Sequence, residues 1–118
     1  TRFTMEDAFY RDRLSERHGL QVIVPKAEDR KTIHRIIYEE LCLGLVLPES
    51  RSAYRRVMDS LASQGAQAII LGCTEISLLV SQQDSVVPLF DTTTIHARAA
   101  AEEALVKWRP EPAFEGNA

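Results

Sequence analysis

The sequence predicts an α/β fold built on a largely parallel sheet, and three observations carry that prediction. Segments with helical and strand-like patterns alternate at short spacing, which favours parallel strands joined by helices. Residues 68–71 (AIIL) form a continuous apolar run of the kind found inside a parallel sheet. Glycines at 19, 44 and 65 each follow a helix-like pattern, where a left-handed cap is expected.

Taken in order, Thr4-Met5-Glu6-Asp7 has the form of a capping box, predicting a helix that carries Phe9, Arg13 and Leu14 and stops near Gly19. Residues 20–24 (LQVIV) read as a short buried strand ended by Pro25. Ile33, Ile36, Ile37 and Leu41 recur at three and four, marking the apolar face of a second helix that ends at Gly44. Ser50 is the expected cap of a third helix, with Tyr54, Val57, Met58 and Leu61 as its buried stripe. Residues 86–90 read as another strand, weakened on one side by Pro88, which cannot donate to a ladder. A long alanine-rich helix is expected from about Thr94 to Trp108. Residues 109–118 have the composition of a flexible tail.

Composition narrows the functional classes. A chain of 118 residues holds one modest domain. Its 45% hydrophobic and 26% charged residues are those of a soluble globular protein. The net charge of −3, with both signs interleaved, gives no footprint for nucleic acid or an anionic membrane. No apolar run is long enough to span a membrane, and the N-terminus lacks the pattern of a signal peptide. Two cysteines are too few for a disulfide framework and fit a reducing cytoplasmic setting. Thr1 stands where an initiator methionine is usual and leads almost at once into a helix signal, as expected of one part of a longer protein.

The residue richest in chemical information is Cys73. In sheets of this type ligands bind beyond the carboxyl ends of the strands, and Cys73 and Asp91 both fall just past a strand end. A cysteine in a strand-to-helix turn meets free N–H groups and a helix dipole that favour the thiolate. Gly72 permits a tight turn, and Thr74 adds a hydroxyl and an N–H suited to a carboxylate. Glu75 either takes the thiol proton or opposes the thiolate by its own charge, and the sequence leaves both open. A free cysteine serves equally well as a small buried hydrophobe. Asp91-Thr92-Thr93-Thr94 reads first as a helix cap and second as a wall of the crevice.

Other candidates are weaker. Thr1 and Thr4 flank the first helix N-terminus, where capping alone explains Thr4. His18, His34 and His96 form no ligand pair, so no metal site is expected. Cys42 reads as core. Lys26, Lys31 and Lys107 carry no local sign of a Schiff-base site, and no phosphate-cradling glycine loop occurs, so no cofactor is expected.

The stretch from Gly65 to Ile76, GAQAIILGCTEI, resembles the C-terminal cysteine motif of the aspartate/glutamate racemases. Glutamate racemases tend to carry histidine where Glu75 stands, so the match is to the aspartate branch, including broad-specificity members. Thr1-Arg2-Phe3-Thr4-Met5, residues 38–44 (YEELCLG), Pro88-Leu89-Phe90-Asp91-Thr92 and Ile95-His96-Ala97 agree in the same order. The resemblance implies a three-layer α/β sandwich forming one half of a pseudo-symmetric two-domain racemase, with residues 1–108 as its C-terminal domain and 86–108 packing on the other half.

It further implies cofactor-independent interconversion of L and D aspartate, glutamate or related amino acids. One thiolate removes the Cα proton and a second thiol reprotonates the opposite face. Carried over, Cys73 is the second thiol, Glu75 tunes it, Thr74 contacts the substrate carboxylate, and Thr4 and Thr1 face the substrate. The first cysteine, usually in a Cys-Asn-Thr motif, is absent from this chain. Cys42 matches a helix position and does not replace it. The chain alone is therefore expected to be inactive, with a homodimer as the expected assembly. Alternatives are maleate isomerase, hydantoin racemase or arylmalonate decarboxylase, or a non-catalytic ligand-binding fragment.

Overall fold

The computed structural model describes residues 1–107. Four helices precede two strands and a fifth follows them: α1 (Arg2–Glu6), α2 (Ala8–His18), α3 (Ala27–Glu39), α4 (Pro48–Ser63), β1 (Ile69–Leu71), β2 (Leu89–Asp91) and α5 (Thr92–Lys107). Short 3-10 turns at Leu41–Leu43, Ile76–Leu78 and Gln82–Asp84 complete the path. The strands pair in parallel with Ile69 opposite Leu89, Ile70 opposite Phe90 and Leu71 opposite Asp91. The result is a helix-rich α/β fold with a parallel sheet. Trp108 and the expected tail at 109–118 lie outside the described residues.

The core is the meeting of α3, α4 and β1. The apolar stripe at 33, 36, 37 and 41 faces the stripe at 54, 57, 58 and 61, and all eight side chains are buried. Ile36 and Ile37 are at or near complete burial. Each is stabilising by about 1.5–3 kcal/mol relative to an exposed side chain. Ile69 and Leu71 of β1, with Ile76, Leu79 and Val80 beyond the cysteine turn, close the cluster. Across the sheet, the paired Ile70 and Phe90 stay 41% and 48% exposed, so that face of the sheet is largely open.

Two charged clusters brace this core. The Asp84 carboxylate, buried, takes a bidentate pair from Arg51 at 2.9 and 3.0 Å and the Ser81 N–H at 3.0 Å. Arg51 holds the Asp84 carboxyl below its ordinary range by hydrogen bonding, an effect that outweighs burial. The buried Glu40 carboxylate accepts from Arg35 at 2.8 Å and, closely, from the Ser50 hydroxyl. Both clusters tie α4 to its neighbours through groups that pair in full, as buried charge requires.

Four local expectations change. Thr4 sits inside α1 and is helical, so it cannot serve as the cap; Thr1 caps α1, and Asp7, in extended backbone, caps α2 by accepting the Phe9 N–H at 2.8 Å. Residues 20–24 form no strand. Val22 and Val24 turn inward while Leu20, Gln21 and Ile23 face out, an extended pattern, but no described strand lies alongside to complete a ladder. The third helix begins at Pro48, whose fixed φ suits the first helical position, and Ser50 is spent on Glu40 instead of capping. Cys42 is exposed in the 3-10 turn after α3, where the helix has already tightened and turned its face outward. Gly19, at φ 63°, and Gly44, at φ 77°, adopt the expected left-handed caps.

Candidate active site

Strand β1 delivers Gly72, Cys73, Thr74 and Glu75 to its carboxyl end. The following helix expected to support a thiolate is a three-residue 3-10 turn, too short to supply a strong dipole. The Cys73 thiol instead donates to Glu75 Oε2 at 2.9 Å, and the Thr74 hydroxyl donates to the same oxygen at 2.7 Å. Cys73 is half-buried and leans on the edge of the core.

The electrostatics follow from this geometry. Burial pushes the Cys73 thiol up first, and its hydrogen bond to Glu75 and that residue's negative charge push it further; the Glu75 backbone N–H acts the other way. The Glu75 carboxyl is drawn below its ordinary range, by the Cys73 bond first and the Thr74 bond second. The resting pair is thus a neutral thiol on a carboxylate. In this arrangement the hydrogen bond and the charge of Glu75 favour the protonated thiol. In the core, the Tyr54 phenol is raised by burial, then by Cys73 and Glu40, which places the cysteine in electrostatic reach of the buried ring.

Thr4 comes to this turn from the far end of the sequence. Its methyl group lies 3.5 Å from the position a Cβ on Gly72 would occupy, so α1 sits directly over the turn. Arg30 holds α1 in place by donating to Glu6 at 3.1 Å and to the Pro25 carbonyl at 2.7 Å. Thr1 lies 3.4 Å from Thr4 through their hydroxyl oxygens and accepts the Thr4 N–H. Thr1 is therefore joined to the site through Thr4.

Between these elements runs an open cleft of about 610 Å³. Thr4 of α1 and Tyr10 of α2 line it, with Gly72 and Thr74 at the strand end. Thr92, Thr93 and His96 of α5 join the same lining. Asp91 reads correctly as a cap: it accepts the Thr93 N–H at 3.0 Å and the Thr94 hydroxyl at 2.7 Å. Its neighbour Thr92 donates to the Leu71 carbonyl at 2.9 Å, stitching α5 to the end of β1. Tyr10 and His96 escape the sequence reading as site residues. Tyr10 follows no motif, and His96 becomes significant only once its spacing of four from Thr92 is known to fall on the cleft face. No group of three or more His, Cys, Asp or Glu among the described residues is placed to hold a metal ion. No described helix is long and apolar enough to cross a membrane.

A thiol at a strand-end turn and its carboxylate partner thus lie beside a hydroxyl-lined cleft. Residues 1–100 match the Asp/Glu/hydantoin racemase family, and the chain belongs to that family. A solved protein from Yersinia pestis, provisionally described as an Asp/Glu racemase, is 62% identical with a TM-score of 0.84. An aspartate racemase homologue from Pyrococcus horikoshii is 38% identical with a TM-score of 0.79. Each match covers 89% of this chain but 46% of the neighbour, so the chain spans about half the length of the structures it resembles.

Proposed function

We propose that this chain supplies one half of the active site of a pyridoxal-phosphate-independent amino-acid racemase, with Cys73 as one of two thiol acid/bases. The observation that supports this most directly is the 2.9 Å hydrogen bond from Cys73 to Glu75 at the end of β1, beside the cleft. In that state the cysteine is the protonated partner, the form that delivers a proton to a carbanion. Racemisation also needs the reverse direction, in which the Cys73 thiolate takes the Cα proton. For that direction the thiol proton must first leave, and Glu75 Oε2, already its hydrogen-bond acceptor at 2.9 Å, is the base within reach. The Thr74 N–H, which makes no backbone hydrogen bond among the described residues, is available to the substrate carboxylate. Thr4 faces the same space.

The other thiol comes from a second half, corresponding to the part of the neighbours' length that this chain does not cover. That half covers residues 86–108 in the proposed assembly. Helix α5 packs chiefly on β2, and its Ile95, Leu105 and Val106 side chains are 50–75% exposed, which leaves apolar surface for it to bury. A cytoplasmic setting keeps both thiols reduced.

The test is Cα deuterium uptake and loss of optical purity of L-aspartate in D₂O, with the chain alone, the chain joined to a half bearing a Cys-Asn-Thr turn, and the Cys73→Ser form of each. The joined protein is expected to exchange and racemise, Cys73→Ser to slow racemisation by about 10²-fold or more, and the chain alone to do neither. Racemisation by the joined Cys73→Ser protein at the unaltered rate would remove the cysteine from the mechanism. Turnover of hydantoins with none of amino acids would move the substrate to the family's other named class.

A further inference from the structure

Racemisation at Cα uses the cysteine turn and leaves one cleft side chain without a task. His96 lies one turn beyond Thr92 on α5, on the cleft face. It is exposed, and its ring makes no hydrogen bond or ion pair among the described residues. The other polar side chains lining the cleft are neutral hydroxyls. Of these, Thr74 donates to Glu75 and Thr92 to the Leu71 carbonyl. His96 is the lining side chain able to carry a positive charge.

The flanking negative charges are already engaged. Asp91 is held by the Thr93 N–H and the Thr94 hydroxyl, and Glu75 by Cys73 and Thr74. A second carboxylate entering the cleft thus meets an imidazole N–H free to donate, in the same lining as Gly72 and Thr74. A charge-assisted bond of this kind is stronger than one to a neutral hydroxyl.

We propose that His96 binds the distal carboxylate of a dicarboxylic amino acid and so sets the preference of the site for acidic substrates over neutral ones. The identification of the ligand as a substrate rests on the racemase reading; the binding itself does not.

The experiment uses the 118-residue chain with ¹⁵N-labelled histidine, titrated with L-aspartate, D-aspartate, succinate and L-alanine, and His96→Gln as the assigning variant. Aspartate and succinate are expected to move the His96 ring signals saturably, with alanine binding roughly tenfold or more weakly. In His96→Gln the preference should fall to within about twofold, with unchanged helical content, since the side chain is exposed and glutamine suits a helix. Ring signals that stay fixed while aspartate binds, a preference that survives His96→Gln, or no binding of either dicarboxylate would each overturn the proposal. Racemisation separates the two readings. A joined protein that racemises aspartate and alanine with a ratio indifferent to His96→Gln defeats this inference alone. Aspartate binding at His96 without racemisation in the joined protein defeats the racemase reading alone.

Discussion

Helices α4 and α5 are both 16 residues long and are held in opposite ways. Tyr54, Val57, Met58 and Leu61 of α4 recur on one face and are each no more than 9% exposed, and Arg51 anchors the helix to buried Asp84. From Thr93 to Val106, every residue of α5 is exposed. Alanine-rich composition and the Asp91 cap explain why it is helical at all. Helix α4 is made stable by what it buries, whereas α5 is stable locally and carries the cleft residues Thr92, Thr93 and His96 at its open end. Stability and candidate chemistry therefore sit on different elements, joined at the cysteine turn.

The contrast is best broken from the core outward. Ile36→Ala, at a fully buried position against α4, is expected to cost about 3–4 kcal/mol in urea unfolding. A cost below about 1 kcal/mol would mean that α3 and α4 are not the folding core.

Asp84→Asn should cost about 2 kcal/mol, because it weakens the charged hydrogen bonds from Arg51. The Asp84 carboxyl is depressed when folded, so its contribution is complete above its ordinary value of 3.8 and is lost as pH falls through the lower folded value. The native protein should thus lose stability more steeply below about pH 4 than Asp84→Asn. Equal slopes would show that the pair contributes nothing to acid sensitivity.

A smaller effect tests the link between the two regions. Glu75→Gln removes the charge that raises the Cys73 thiol, so iodoacetamide should label Cys73 roughly three- to tenfold faster at neutral pH. Exposed Cys42 provides the internal standard. Slower labelling of Cys73 would assign Glu75 the opposite role, as an activating base. The least effect belongs to Leu105→Ala on α5, expected within about 0.5 kcal/mol in the chain alone. A clear loss there would show that α5 is already packed in this chain.

Legibility followed the same division. The stripes of α3 and α4 were readable because repetition at three and four survives in any globular context. Cys73, Thr74, Glu75 and Thr4 could be named from motif and resemblance, and the structure brings all four to one turn. Residues 20–24 read as a strand because four of the five are apolar and two are valines, yet a strand exists only where another strand satisfies its backbone. Cys42 read as core from its apolar neighbours, but the tightened turn after α3 points it outward. Tyr10 was silent, since no spacing links α2 to a turn some sixty residues away.

What the sequence determined by itself was the α/β class, the buried stripes, the glycine caps at 19 and 44 and the cysteine turn, all of which depend on neighbours within a few positions. Only the tertiary structure decided the contact of Glu75 with Cys73, the seating of Thr4 over Gly72 and the cleft face of His96. The reason is physical: propensity and periodicity are short-ranged, whereas desolvation, charge and shape depend on groups that meet only when distant segments pack.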